Sequence, residues 1–303
     1  VKIGTYAFKD GSVYNGEIKG RKPFGHGKTT YKNGNTYEGE YVKGKREGKG
    51  TFSFADGERY EGDWYQDQQH GRGIFHFANN NRYEGMWYQD YQHGPGIMYY
   101  YTGDVYDGNW VKDKREGQGT YTWKEGSKYE GSWKADKKEG QGKQTWTDGS
   151  LYEGSWKDNQ FSGQGTFIYA NGDKYVGNFL NGVQQGLGTF TWANGAVYTG
   201  EWKDNQRSGQ GIYKWNQGDV YEGEWASDLF NGQGTLTTID GTTYKGGFVN
   251  GQKEGACVEI DAQGNRFEGS YLEGRRHGPF TKTDKEGKVI QQGTYEKGRL
   301  KSN

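Results

Sequence analysis

Residues 129–151 read Tyr-Glu-Gly-Ser-Trp-Lys-Ala-Asp-Lys-Lys-Glu-Gly-Gln-Gly-Lys-Gln-Thr-Trp-Thr-Asp-Gly-Ser-Leu. Tyr129, Gly131 and Trp133 alternate with Glu130 and Ser132, and a period of two points one set of side chains to each face of a strand. One face is aromatic and the other wet. The leading position returns every 23 residues, at Tyr14, Tyr37, Tyr60, Tyr83, Tyr106, Tyr129, Tyr152, Tyr175, Tyr198, Tyr221, Tyr244 and Phe267. A period in this range marks a stacked array whose units bury their apolar faces only against neighbours. Function is therefore expected on a long repetitive surface rather than in a single pocket.

Within the unit, glycine between two aromatics costs strand propensity, so its repetition at Gly16, Gly39, Gly62 and onward implies that a neighbouring ring or backbone needs the space. A second strand follows each Gly-x-Gly, as in Gly119-Thr-Tyr-Thr-Trp123 and Gly188-Thr-Phe-Thr-Trp192. Asp10-Gly11, Asn33-Gly34, Asp56-Gly57 and their counterparts then read as two-residue type I′ turns with positive φ at both centres. The other connection, after the tryptophan, reads as a longer polar loop. Its middle residue is Gly44, Asp67, Asp90, Asp113, Asp136, Asn159, Gly182, Asn205, Asp228, Gly251 or Gly274, types that tolerate a left-handed backbone, so φ > 0 is expected there.

Tyr-Glu-Gly-x-Trp followed by Gly-x-Gly, recurring every 23 residues from Gly4 to Tyr295, resembles the MORN repeat. The resemblance implies an all-β fold, an elongated single-sheet ribbon or solenoid of consecutive antiparallel β-hairpins. A dozen two-stranded units at about 4.8 Å per strand would extend roughly 110 to 120 Å. The expected organisation is one array over 1–303: an N-terminal half repeat at 1–13, twelve repeats at 14–289 and a partial C-terminal repeat or cap at 290–303. Relatives are found attached to lysine methyltransferase and phosphoinositide kinase domains, and the array is expected to leave no length in this chain for either.

Composition bounds the alternatives. Fifty-five glycines and 30% hydrophobic residues suggest disorder, but 11 Trp, 25 Tyr and 14 Phe in fixed register contradict it. With 39 basic and 39 acidic side chains the formal charge is zero, so no global field favours nucleic acid, and no nucleic-acid partner is expected. Acids follow the tyrosines (Glu38, Glu61, Glu84), whereas bases collect in some loops (Lys43, Lys45, Arg46; Lys112, Lys114, Arg115; Lys134, Lys137, Lys138), which predicts edge stripes of opposite sign. The lone Cys257 replaces the second glycine of Gly-x-Gly and reads as a small buried residue.

The sequence holds no recognisable catalytic constellation. Gly-x-Gly lacks the helix and the lysine of a phosphate loop. His70, His93 and His277 precede a repeat glycine where other units carry Glu47, Glu116 or Gln185, which reads as a loop surface position. No catalytic residue, cofactor or metal site is expected, and the chain is not expected to be an enzyme.

Departures from the unit supply the candidate partner contacts. Tyr65, Tyr88 and Tyr91 cluster in the polar loops of two adjacent units, with Tyr99 and Tyr101 nearby; exposed tyrosines suit interfaces, and the alternative is that they cover the sheet's own edge. Phe161, Leu229 and Phe230 stand in otherwise polar loops, as partner contacts or as anchors. Trp64, Trp87, Trp110, Trp133, Trp156, Trp202 and Trp225, with Trp123, Trp146, Trp192 and Trp215, form a stripe that is mostly core yet could line a groove for a helix or an extended segment. The divergent C-terminal repeats read as a cap or as a homodimer surface.

The expected function is thus a non-enzymatic scaffold that binds protein partners within a multi-subunit assembly. Peripheral binding to anionic phospholipid through the basic loops is the alternative. The resemblance implies a cytoskeletal or ciliary location if the source is eukaryotic, and the cell envelope if it is bacterial.

Overall fold

The computed structural model describes residues 1–302. Among them are twenty-eight strands and no helix. The first four set the pattern: β1 (Lys2–Ala7), β2 (Val13–Lys19), β3 (Lys22–Thr30) and β4 (Thr36–Val42). Each pairs antiparallel with the next, through Gly4↔Gly16, Gly16↔Gly27 and Gly27↔Gly39. The chain packs as two compact units, Val1–Thr147 with Trp156–Asn159, and Asp148–Ser155 with the chain from Gln160 onward. Each is an open meander of consecutive hairpins.

The two connections exchange the roles expected of them. Between β1 and β2, the Gly11 amide donates to Phe8 O (3.0 Å) and the Phe8 amide to Ser12 O (2.9 Å), which encloses three residues. Gly11 has φ +84° and Asp10 has no positive φ, so the turn is type I followed by a left-handed glycine, not type I′. The aspartate is held there by its own carboxylate, which accepts the Ser12 amide at 2.8 Å; Asp56 accepts Glu58 (2.9 Å) and Asn194 accepts Ala196 (3.0 Å) in the same way.

The connection after the tryptophan is the tight one. Val42 pairs with Lys45 across Lys43-Gly44, and both central residues are left-handed (φ +50° and +86°). Gln66-Asp67 (+44°, +71°) and Ala135-Asp136 (+47°, +71°) repeat this without glycine. The expected positive φ holds at all eleven middle positions from Gly44 to Gly274. What makes such a turn tolerable is the preceding repeat. The Asp67 amide donates to Arg46 O (3.0 Å), and its carboxylate accepts the Arg46 amide (2.8 Å). Each tight turn thus hangs on the strand of the repeat before it.

Glycines form a row across each meander, and space explains them. A Cβ on Gly16 would lie 2.4 Å from Gly27 Cα, and one on Gly27 would lie 2.2 Å from the Tyr14 ring. The register slips here: Gly16 faces Gly27 but Ile18 faces Pro23, so β3 bulges past Glu17. The Tyr14 ring closes over the bulge and its hydroxyl donates to Glu17 O at 2.8 Å. Tyr60, Tyr129 and Tyr221 do the same to Asp63, Ser132 and Glu224 (2.7, 2.8 and 2.8 Å). A phenylalanine would leave that carbonyl without this donor.

The tryptophans join successive repeats. Trp87 meets Tyr83 of its own repeat and Tyr60 of the one before, edge to face, at 5.3 and 5.4 Å. Its Nε1 donates back to Gly73 O (3.3 Å), and Trp64, Trp133 and Trp202 reach Gly50, Gly119 and Gly188 at 3.0 to 3.1 Å. An edge-to-face pair contributes roughly 0.5–1.5 kcal/mol beyond its buried area. The core is therefore a file of Tyr and Trp rings on one face. The other face carries short ion pairs such as Arg59–Glu61 (2.9 Å) and Arg82–Glu84 (3.1 Å).

Candidate protein-binding groove

Above the buried file lies a second layer of rings, supplied by the strand after Gly-x-Gly. Phe52 and Phe54 are 4.6 Å apart, Phe54 and Phe75 5.9 Å, and Phe75 and Phe77 4.5 Å. In the second unit Phe167, Tyr169, Phe190 and Trp192 continue in the same zigzag at 4.5, 5.8 and 4.5 Å. All except Phe52 are half-buried, as are Trp123, Trp146 and Trp215. Each unit thus presents a groove with an aromatic wall.

Trp64, Trp87, Trp110, Trp133, Trp156, Trp202 and Trp225 do not form that wall. They are only 3–6% exposed and make the floor beneath it. Their indole N–H groups are already engaged with the glycine carbonyls, so these side chains hold repeats together.

The floor is completed by a residue nine positions after each leading aromatic, a series the sequence reading took for loop. It runs Pro23, Arg46, Gln69, Gln92, Arg115, Lys138, Phe161, Gln184, Arg207, Phe230, Lys253 and Arg276. Arg46, Arg115 and Lys138, grouped above with the basic loops, lie in strands and turn into the groove. The Arg46 guanidinium lies 4.5 Å over Trp64 while its Nε donates to Asp67 Oδ1 at 3.3 Å. The expected stripe of basic side chains is broken at these places. Constant spacing from the tyrosine was the available signal; it was hidden because the bulge upsets alternation between this position and Gly-x-Gly.

Phe161 and Phe230 occupy the same series. They lie in the strands Gln160–Ile168 and Leu229–Thr237 and stack on Tyr152 and Tyr221, each with centroids 4.0 Å apart. Both are anchored in the core, while Leu229 remains exposed beside the turn, opposite Ala226. Lys138 points at Trp123, Tyr129 and Trp156 (4.8, 5.0 and 4.8 Å) and donates to Gln144 Oε1 (2.8 Å). Burial, with Arg115 nearby, pulls its pKa down to about 8. Desolvation pushes the buried tyrosines the other way, Tyr152 and Tyr221 up to about 12.

Tyr65, Tyr88 and Tyr91 lie on the edge made by the tight turns and are 49%, 47% and 44% exposed. Tyr88 faces Tyr91 across its turn, but Tyr65 and Tyr88 are separated by the His70 ring, at 5.5 and 5.1 Å. His70 and His93 are strand residues; the His93 Nδ1 accepts the Lys112 amide at 3.4 Å, as Glu116 accepts Ala135 at 2.8 Å. Tyr99 lies at the far end of the Tyr91–Tyr99 strand under Arg82 (4.4 Å), and Tyr101 is in the following turn, 70% exposed. The five tyrosines therefore divide between two edges.

Cys257 is buried in the glycine row between Gly246 and Gly269, and burial pushes its thiol up to about 11. This is the small buried residue the sequence suggested.

The MORN repeat pattern matches residues 14–36, 37–59, 60–82, 83–105, 106–128, 129–151, 152–174, 175–197, 198–220, 221–243, 244–266 and 267–279. No curated protein matches the chain. Among solved structures, it is similar to the SAS-4 (dCPAP) TCP domain of Drosophila melanogaster, at 14% identity over 52% of this chain and 90% of that one (TM-score 0.34). It is also similar to the TCP10 domain of Danio rerio CPAP, at 13% identity over 80% and 98% (TM-score 0.24). A third likeness is to virginiamycin B lyase from Staphylococcus aureus, at 10% identity over 95% and 92% (TM-score 0.15). At these scores the three carry no argument about function.

Proposed function

We propose, since the chain belongs to the MORN-repeat family, that it acts as a non-enzymatic scaffold binding protein partners along the aromatic groove, within a larger assembly. The observation that supports this most is the row of half-buried rings that each unit carries beside its buried Tyr and Trp file. Rings left partly in water provide rigid amphipathic contact area for a partner. The exposed Tyr65, Tyr88 and Tyr91 edge offers a second contact strip.

A photo-cross-linking amino acid placed at Phe77 and, separately, at Trp192 tests the reading in extract from the source cells. Protein cross-links at either position, competed by excess unlabelled chain, are the expected result. Cross-links at neither position, with partners lost only from a Tyr65, Tyr88 and Tyr91 to Ser variant, would move the contact to the edge.

A peripheral lipid role has narrower support, from the exposed turn lysines Lys43, Lys45, Lys112 and Lys114. Binding to anionic vesicles that disappears at high salt would favour it.

A further inference from the structure

Three repeats build the same cation box. Arg46 lies over Tyr37, Phe52 and Trp64 (5.8, 5.2 and 4.5 Å) with its Nε 3.3 Å from Asp67 Oδ1. Arg115 lies over Tyr106, Tyr121 and Trp133 (5.8, 5.5 and 4.6 Å), 3.2 Å from Asp136. Arg207 lies over Tyr198, Tyr213 and Trp225 (6.0, 5.4 and 4.7 Å), 3.0 Å from Asp228. In each box the cation and two rings come from one repeat, and the tryptophan and turn carboxylate from the next.

Gln69 and Gln92 stand at the cation's position in two adjacent repeats. The first box retains Tyr60, Phe75, Trp87 and Asp90; the second retains Tyr83, Trp110 and Asp113, with Met98 in place of a ring. Both glutamines are nearly buried, at 7% and 5% exposure, and their amide groups make no hydrogen bond among the described residues. Asp90 and Asp113 accept the Gln69 and Gln92 backbone amides at 2.8 Å each, and neither has an ion pair among the described residues. A hollow of about 560 Å³ opens over these side chains, with Arg115, already paired to Asp136, at one end.

Elsewhere in the series no turn aspartate stands opposite a neutral residue, although Lys138 and Lys253 face Asn159 and Gly274. Where the turn residue is aspartate elsewhere, the partner is arginine; opposite Gln184 the turn carries neutral Asn205, and the hollow there is about 430 Å³. Over Gln69 and Gln92 the carboxylates and rings are in place and the cations are not.

We propose that this hollow receives two basic side chains, arginines foremost, from a protein segment docked in the groove; the inference rests on the scaffold reading above and specifies the partner's chemistry. Arginine fits because a planar guanidinium stacks on rings while bonding a carboxylate, as the three internal boxes do. Asp90 and Asp113 are one repeat apart, two strands at about 4.8 Å, so the two cations stand about 10 Å apart along the segment. Side chains seven residues apart on a helix, about 10.5 Å, meet this spacing.

The test uses the full chain and an alanine-based helical peptide with two arginines seven residues apart, compared with its two-glutamine version by fluorescence anisotropy. Wild type is expected to prefer the arginine peptide by roughly tenfold or more. Asp90→Asn with Asp113→Asn removes the preference without breaking the turn, because Asn159 and Asn205 hold the same backbone bond at 2.8 and 2.7 Å. Gln69→Arg with Gln92→Arg fills the boxes from within and gives the same loss, while Asp240→Asn, the charge control, leaves the preference intact. Equal binding of the two peptides by wild type, or an unchanged preference in both double variants, overturns the proposal. If a native partner cross-links at Phe77 yet binds both double variants normally, the arginine inference fails and the scaffold stands. If the peptide discriminates as expected but no protein cross-links in the groove, the site's chemistry stands and the scaffold reading fails.

Discussion

The repeat that begins at Tyr129 and the one that begins at Phe267 keep the same 23-residue spacing and are built differently. In the first, the Tyr129 hydroxyl donates to Ser132 O (2.8 Å), Gly142 makes room for the ring, and the Trp133 Nε1 reaches back to Gly119 O (3.1 Å). In the second, Phe267 has no hydroxyl to donate and Ser270 O accepts the His277 amide (3.0 Å), Phe280 stands where Gly142 does, and Tyr271 takes the tryptophan's position. Phe267 lies parallel to Phe280, with centroids 5.3 Å apart, and Tyr295 covers Phe280 at 4.8 Å. The comparison shows what the tyrosine hydroxyl and the glycine are for: one adds a donor at the bulge that Phe267 lacks, and the other leaves space that the later repeat fills with a ring.

Substitution at the tryptophan position should separate the two most. Trp133→Ala removes a buried ring and the link between repeats and is expected to cost about 3–5 kcal/mol by urea denaturation; Tyr271→Ala, at a half-buried ring, should cost clearly less. Equal losses would mean that both repeats rely on the latch. Gly142→Ala comes next, because its Cβ would meet the Tyr129 hydroxyl at 2.3 Å; a cost of about 3 kcal/mol is expected, against about 1 kcal/mol for Cys257→Ala in the same glycine row. Tyr129→Phe leaves Ser132 O without its side-chain donor and should cost about 1–3 kcal/mol. Phe267→Leu, which removes no hydrogen bond, tests whether the C-terminal repeat depends on ring stacking alone, and a loss below about 1.5 kcal/mol is expected.

The smallest effect is a pH dependence confined to the Tyr129 repeat. The Lys138 pKa falls to about 8 in the folded chain from 10.5, so between these values the unfolded chain binds more protons. Its destabilising contribution is complete below pH 8 and is relieved as pH rises toward 10.5. Thermal melts of wild type against Lys138→Met should therefore converge on raising pH from 8 to 10. Above that, ionisation of tyrosines in the unfolded chain lowers the stability of both, because burial raises their pKa in the folded state. Parallel curves from pH 7 to 10 would contradict the assignment.

Strand order and pairing were legible because the repeat never slips: a tyrosine, a glycine and a tryptophan on alternate positions leave one register. The turns were not. Asp-Gly and Asn-Gly carry the local signature of a type I′ turn, but the side-chain carboxylate or amide captures the amide two residues on and keeps φ negative at Asp10, Asp56 and Asn194. The true type I′ turns, such as Gln66-Asp67, owe their geometry to bonds made 21 residues away, which no local window contains. The groove was misplaced by one layer for a related reason. Trp133 and Trp123 look alike in composition, yet only the first falls between two tyrosines, where it is covered, while Trp123 remains half-buried above it. The Arg46, Gln69, Gln92 series is legible only from its constant spacing after the tyrosine, because the bulge upsets alternation.

The hanging turns and the tryptophan latches share a direction. Asp67 reaches Arg46, and Trp64 reaches Gly50; in both cases the later segment binds the earlier one. During synthesis the earlier segment leaves the ribosome first. Each new repeat therefore emerges to find its docking groups already in place, and folding can keep step with translation, one hairpin at a time. Refolding from denaturant, where every repeat is released at once, forgoes that order and admits pairings between like repeats that the growing chain avoids.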